Sequence, residues 1–315
     1  MASHPKGIAV LFGLAIAAGW PALIAGQDQP ASKEVRRAPA PYAREESGNP
    51  DPALARSEAE LREQLAHPPE SANLLYRLGL VLRLEGKPRE SLDTYTRAAY
   101  YRVPTANELR SVALDYVLLN DYEDAIHWLE RAVKMEPNNK DVLYSLGRCY
   151  YSKDRYMDAG EMFERVLALE PMHLKAEENL GLVFDATNHP EQAEEALRKA
   201  VQWAGSAGDD EWPFLDLAVF LVDHDRAAES LDPLRTAVRI KPQCEVCHEK
   251  LGQALLTTND VAGSIGELDE AIRLDEKDAK AHFELGRALR QAGQTERAKQ
   301  EFAASQKLYS VHSQQ

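Results

Sequence analysis

A pattern of 34 residues recurs seven times along this chain of 315 residues, and few folds can accommodate it. Small residues stand at Gly79, Ala113, Gly147, Gly181, Ala218, Gly252 and Gly286, spaced by 34 except between Gly181 and Ala218, which are 37 apart. Three positions on comes a large apolar residue: Leu82, Tyr116, Tyr150, Phe184, Leu221, Leu255, Leu289. Four more bring Gly86, Asn120, Asp154, Asn188, Asp225, Asn259 and Gly293. Then follow Ser91, Ala125, Ala159, Ala193, Ser230, Ser264 and Ala298, and after them Tyr95, Leu129, Phe163, Leu197, Leu234, Leu268 and Phe302.

Each column answers a physical need. Small residues let two helices approach, and the large ones fill the space between them. Gly, Asn and Asp tolerate the left-handed conformation that ends a helix. Prolines at Pro137, Pro171 and Pro242 limit continuation into the next copy. The unit is helix, tight turn, helix, and the fold class is all-α.

These columns resemble the tetratricopeptide repeat, most clearly at Leu78-Gly79, Leu146-Gly147, Leu180-Gly181, Leu251-Gly252 and Leu285-Gly286. The resemblance spans residues 72–310 and implies a solenoid of helix-turn-helix repeats forming a superhelix. The Trp that usually opens the pattern is replaced by Leu75, Leu109, Leu143, Glu177, Phe214, His248 and His282.

The N-terminus reads as a secretory signal over residues 1–26, with Lys6, an uncharged apolar run from Ile8 to Ala18, and small residues at Ala25 and Gly26. Cleavage near Gly26 would make the protein periplasmic or secreted. An uncleaved membrane anchor is the alternative. Residues 27–52 carry five prolines and form a linker unable to build a core. Residues 53–71 are expected to be a capping helix, with Leu54, Leu61 and Leu65 on one face. At the other end Lys299 and Gln306 replace the apolar residues of earlier copies, as the solvated last face of a solenoid requires. The array is expected to stop there, before a short tail at 311–315.

The formal net charge is -14. That balance argues against nucleic acid as a partner and leaves most carboxylates on solvated helix faces. The resemblance implies that first helices line a concave groove that binds a protein or peptide. The positions carried over are Tyr76, Leu80, Arg83, Arg110, Leu114, Tyr144, Arg148, Tyr151, Trp212, Phe283, Arg287 and Arg290, with Leu182, Leu215, Val219 and Gln253 among them. Tyr, Trp and Arg often dominate interface energies. The three extra residues between Ala204 and Asp210 read as a surface loop, or as a joint between blocks of four and three repeats with Trp212 exposed in the groove.

One chemical motif stands out. Cys244-Glu-Val-Cys247-His248 matches the C-x-x-C-H of covalent c-type haem attachment, with His248 as iron ligand. Against it, His248 shares its column with His282, which has no cysteines beside it. A Cys244–Cys247 disulfide is a second reading. Asp223-His224-Asp225 falls in a repeat turn, and no metal is expected. With no phosphate loop, metalloprotease helix or nucleophile elbow, the expected function is a non-enzymatic exported scaffold without cofactor. A redox or haem-bearing module and a self-associating structural protein are the alternatives.

Overall fold

The computed structural model describes residues 51–67, 70–205 and 208–312. The expected signal segment lies outside these residues, as does the linker except for Asp51 and Pro52. Those two open the first helix, with the Asp51 side chain accepting from the Ala53 amide. Among the described residues there are fifteen helices and no strand. They are α1 (Pro52–Leu65), α2 (Ala72–Leu84), α3 (Pro88–Tyr101), α4 (Ala106–Leu118), α5 (Tyr122–Met135), α6 (Lys140–Ser152), α7 (Tyr156–Leu169) and α8 (Leu174–Ala186). There follow α9 (Pro190–Ala204), α10 (Trp212–Asp223), α11 (Ala227–Ile240), α12 (Glu245–Thr257), α13 (Val261–Leu274), α14 (Ala279–Gln291) and α15 (Thr295–His312).

The turn column sets the hairpins. Gly86, Asn120, Asp154, Asn188, Asp225, Asn259 and Gly293 all have positive φ, between 59° and 78°. The residue after each donates its amide back to the carbonyl of the large apolar column, as in Arg155 to Tyr150 at 2.9 Å and Arg226 to Leu221 at 2.8 Å. This is the bond of a Schellman ending, which satisfies a carbonyl that the helix leaves open.

The small column sets the helix spacing. A Cβ on Gly147 would meet the Phe163 ring at 2.7 Å, and one on Gly286 would meet Phe302 at 2.7 Å. The first helix thus lies directly against the aromatic ring of its partner, and Phe163 is fully buried there.

The contacts divide the chain into two compact units, Met1–Pro171 and Met172–Gln315. In the first, α1 caps α2 through Leu61, Leu65, Leu78 and Leu82, and the hairpins α2/α3, α4/α5 and α6/α7 follow. The first helices α2, α4 and α6 pack side by side, and α3 and α5 pack on the first helices that flank them. In the second unit α8, α10, α12 and α14 form the corresponding layer.

The division falls after the third copy, not after the fourth. The insertion lies inside the second unit, where α10 packs on both α8 and α9. Trp212 is half-buried there against the cluster of Phe214, Leu215, Leu234 and Leu251, rather than exposed as the joint reading had it. Apolar packing across the insertion holds this part of the unit together. At the C-terminal end Lys299 and Gln306 are exposed as expected.

Candidate binding faces on the first helices

In every first helix the residues three before, one after and four after the small residue share a face, because the helix repeats every 3.6 residues. In the first unit these inner positions are Tyr76, Leu80 and Arg83 on α2, Arg110, Leu114 and Val117 on α4, and Tyr144, Arg148 and Tyr151 on α6. Leu80 is 40% exposed, and Arg83, Arg110, Leu114, Tyr144 and Tyr151 are half-buried. None of these six is fully buried.

Two positions in that unit are packing residues. Tyr76 is buried, its hydroxyl donates to the Arg102 carbonyl at 2.8 Å, and the Arg102 guanidinium covers its ring at 4.2 Å. Burial pushes its phenol up to about 12. Arg148 is only 2% exposed, with its guanidinium 5.6 Å from the Tyr144 ring. Arg102, in the loop after α3, closes over Tyr76, which no single repeat could reveal.

In the second unit Phe283, at 46%, Arg287 and Arg290 are exposed. The Phe283 ring lies 5.6 Å from Phe302, and Arg287 pairs with Glu284 at 2.7 Å. Arg290 lies over Phe302 at 5.6 Å. Leu182 and Leu215 are buried, while Val219 and Gln253 are half-buried.

The C-x-x-C-H segment is built quite differently from a haem site. Cys244 caps α12 and its sulfur is bonded to that of Cys247, with the two Cα atoms 5.3 Å apart. Both cysteines are buried in the core with Phe214 and Leu234. His248 Nδ1 lies 2.7 Å from Glu267 Oε2, and its Nε2 lies 3.2 Å from the Pro242 carbonyl. His282 repeats this arrangement with Glu301 at 2.7 Å and the Glu276 carbonyl at 3.2 Å. A haem needs two sulfurs free for thioethers and a ring nitrogen free for iron. These residues do not fit that group. The His–Glu pairs join first to second helix, a role missed from sequence. The signal was there, since each His precedes its Glu by 19 positions.

His224, in the turn triplet, meets Asp185 at 2.9 Å, while Asp225 serves the turn with φ 61°. Among the described residues no group of three or more His, Cys, Asp or Glu side chains is placed to hold a metal ion. No helix among them is long and apolar enough to cross a membrane.

Comparison with known proteins agrees with the geometry. Two models of the tetratricopeptide repeat match, one over residues 116–178 and the other over 153–210 and 249–311. Protein FlbA of Caulobacter vibrioides is 26% identical over 211 residues, covering 66% of this chain and 35% of that protein. The BBSome complex member BBS4 of Bos taurus is 28% identical over 130 residues, covering 41% of this chain and 25% of that protein. The chain thus spans about a quarter to a third of the length of these curated relatives. Among solved structures, yeast Tom70 superposes with a TM-score of 0.61 at 18% identity, covering 81% of this chain and 55% of that one. The repeated columns, the hairpins they build and the matching models have one source: the chain belongs to the tetratricopeptide repeat family.

Proposed function

We propose that this protein is a non-enzymatic exported scaffold that holds a protein or peptide segment against the inner faces of its first helices. The observation that carries this reading is the set of accessible Leu, Tyr and Arg side chains on adjacent helices α2, α4 and α6. Neighbouring first helices present one continuous surface, and side chains of these types supply much of the binding energy at protein interfaces. The apolar N-terminal run after Lys6 supports export to the periplasm or the medium. The Cys244–Cys247 disulfide supports it as well, because such bonds persist in oxidising compartments.

Site-specific photo-crosslinking in the native host tests the surface. A crosslinking residue at Leu114 or Phe283 is expected to capture a partner that the same residue at Glu164 or Glu195, exposed on second helices, does not. Capture from the second helices alone rejects the inner faces. Recovery of this chain alone selects self-association.

A further inference from the structure

We propose that the inner face of the first unit takes an acidic, partly apolar peptide segment. The guanidinium groups of Arg83 and Arg110 receive its carboxylates, and Leu80, Leu114 and Tyr151 cover its apolar side chains. The inference rests on the inner-face reading above and names the chemistry of the ligand.

Charge placement is the first observation. The chain has 51 Asp and Glu against 37 Lys and Arg. Yet the inner positions of α2, α4 and α6 include no carboxylate and three arginines, of which Arg148 is buried and Arg83 and Arg110 are half-buried. The acids of these helices are placed elsewhere. Glu108 holds Arg102 at 2.6 Å and the Thr105 amide at 2.7 Å. Asp115 is buried and accepts from Ser91 Oγ at 2.6 Å. Asp141 stands in the first turn of α6. In the second unit, by contrast, inner positions include Glu178, Asp185 and Glu249.

Pairing is the second. Arg62, Arg97, Arg102, Arg155 and Arg226 each hold a carboxylate of the chain. Arg83 and Arg110 hold none among the described residues, and the Nε of each is buried without an acceptor. A guanidinium that holds no carboxylate of its own chain stays open, at its outer nitrogens, to one brought by a ligand. The planar guanidinium fork matches a carboxylate with two parallel bonds.

Spacing is the third. Leu80 stands three residues before Arg83 on α2, and Leu114 stands four after Arg110 on α4, so on each helix a leucine and a cation are neighbours on one face. A segment carrying both carboxylates and apolar side chains satisfies both kinds of group, whereas a plain polyanion satisfies one.

Fluorescence anisotropy on the full chain tests this with labelled peptides repeating Glu-Ser-Leu-Ser, and with their Gln and Lys counterparts. The Glu peptide is expected to bind about tenfold more tightly than the Gln peptide, a gap that narrows with added salt. In the double variant Arg83→Gln, Arg110→Gln the gap falls to about twofold or less, whereas Arg83→Lys, Arg110→Lys keeps part of it. Thermal unfolding of both variants checks that the fold is intact. The inference is overturned by no binding of the Glu peptide, preference for the Lys peptide, tighter binding of a thymidine oligonucleotide, or a gap that survives the Gln variant. Equal binding of Glu and Gln peptides, lost in Leu114→Asp, rejects the acidic ligand and keeps the inner face. The crosslinking experiment judges the inner face independently of any peptide chosen.

Discussion

His248 on α12 reaches Glu267 on α13 across 2.7 Å, and one repeat later His282 reaches Glu301 across the same distance. In both, the second ring nitrogen faces a backbone carbonyl from the turn before the helix. At His248 two acceptors face one ring, so the doubly protonated imidazolium serves both. The pair is a strut between the helices of a hairpin, and in His248 it occupies the ring that a haem would have used.

The strut should make the stability of the second unit depend on pH. The hydrogen bond to Glu267 raises the His248 pKa above the ordinary histidine value, against the opposing effect of burial. Stability from a raised group is fully present below the unfolded value, about 6.5, and is lost as pH rises through the folded one. Glu267→Gln should therefore lower stability by about 1–3 kcal/mol on the acid side of that window and by less above it. Chemical denaturation of both proteins across the window measures the difference. A difference that does not change with pH would show that the imidazolium is not what the strut stabilises.

An opposite slope is expected lower on the scale. Arg226 forks Glu194, with contacts at 2.6 and 3.0 Å, and this bond holds the carboxyl down at about 2. Its stabilisation is present above the unfolded value, about 4.3, and fades as pH falls through the depressed one. The pair is partly solvated, so Arg226→Ala should cost little at neutral pH. The loss should shrink on acidification. Carboxyl titration by NMR in the variant should find Glu194 moved up toward the ordinary range.

Two glycines should respond to substitution for different reasons. At Gly147 a methyl group meets the Phe163 ring at 2.7 Å, so Gly147→Ala should cost about 1–3 kcal/mol through overpacking. At Gly86 the space is open but φ is 72°. Gly86→Val should cost about 1–2 kcal/mol, while Gly86→Asn should be better tolerated because Asn holds this turn at Asn120, Asn188 and Asn259. Urea midpoints on the three variants rank them. A Gly86→Asn as damaging as Gly86→Val would remove the conformational explanation.

Those columns were legible in the sequence because each states a local requirement: a methyl-sized gap against a ring, or a left-handed residue ending a helix. The inner-face positions Leu80, Arg83, Arg110 and Leu114 came instead from the repeat resemblance, which implied that first helices line a groove. Tyr76 and Arg148 are buried where an open groove position was expected, and the burial of Tyr76 depends on chain from elsewhere. Arg102, at the end of α3, closes over Tyr76, and a cluster including Leu234 and Leu251 packs against Trp212. A repeat read by itself gives the direction of a side chain, but its neighbours decide its exposure. The break after Pro171 left no trace in the spacing, which changes only at the fourth-to-fifth junction.

The disulfide separates the structural reading of the C-x-x-C-H segment from a haem-bearing one. It ties the capping residue of α12 to a residue in that helix's first turn, within the core formed with Phe214 and Leu234. Closing so short a loop limits the unfolded chain, and a chain-entropy argument puts its stabilisation at about 2 kcal/mol. Reductant should therefore lower the unfolding temperature of the native protein. It should leave the double variant Cys244→Ala, Cys247→Ala unchanged, because the remaining Cys149 has no bridge to lose. Protein matured by its own host should show one free thiol after denaturation and no Soret absorbance. A Soret band, or three free thiols, would overturn the assignment of these sulfurs to a structural bridge.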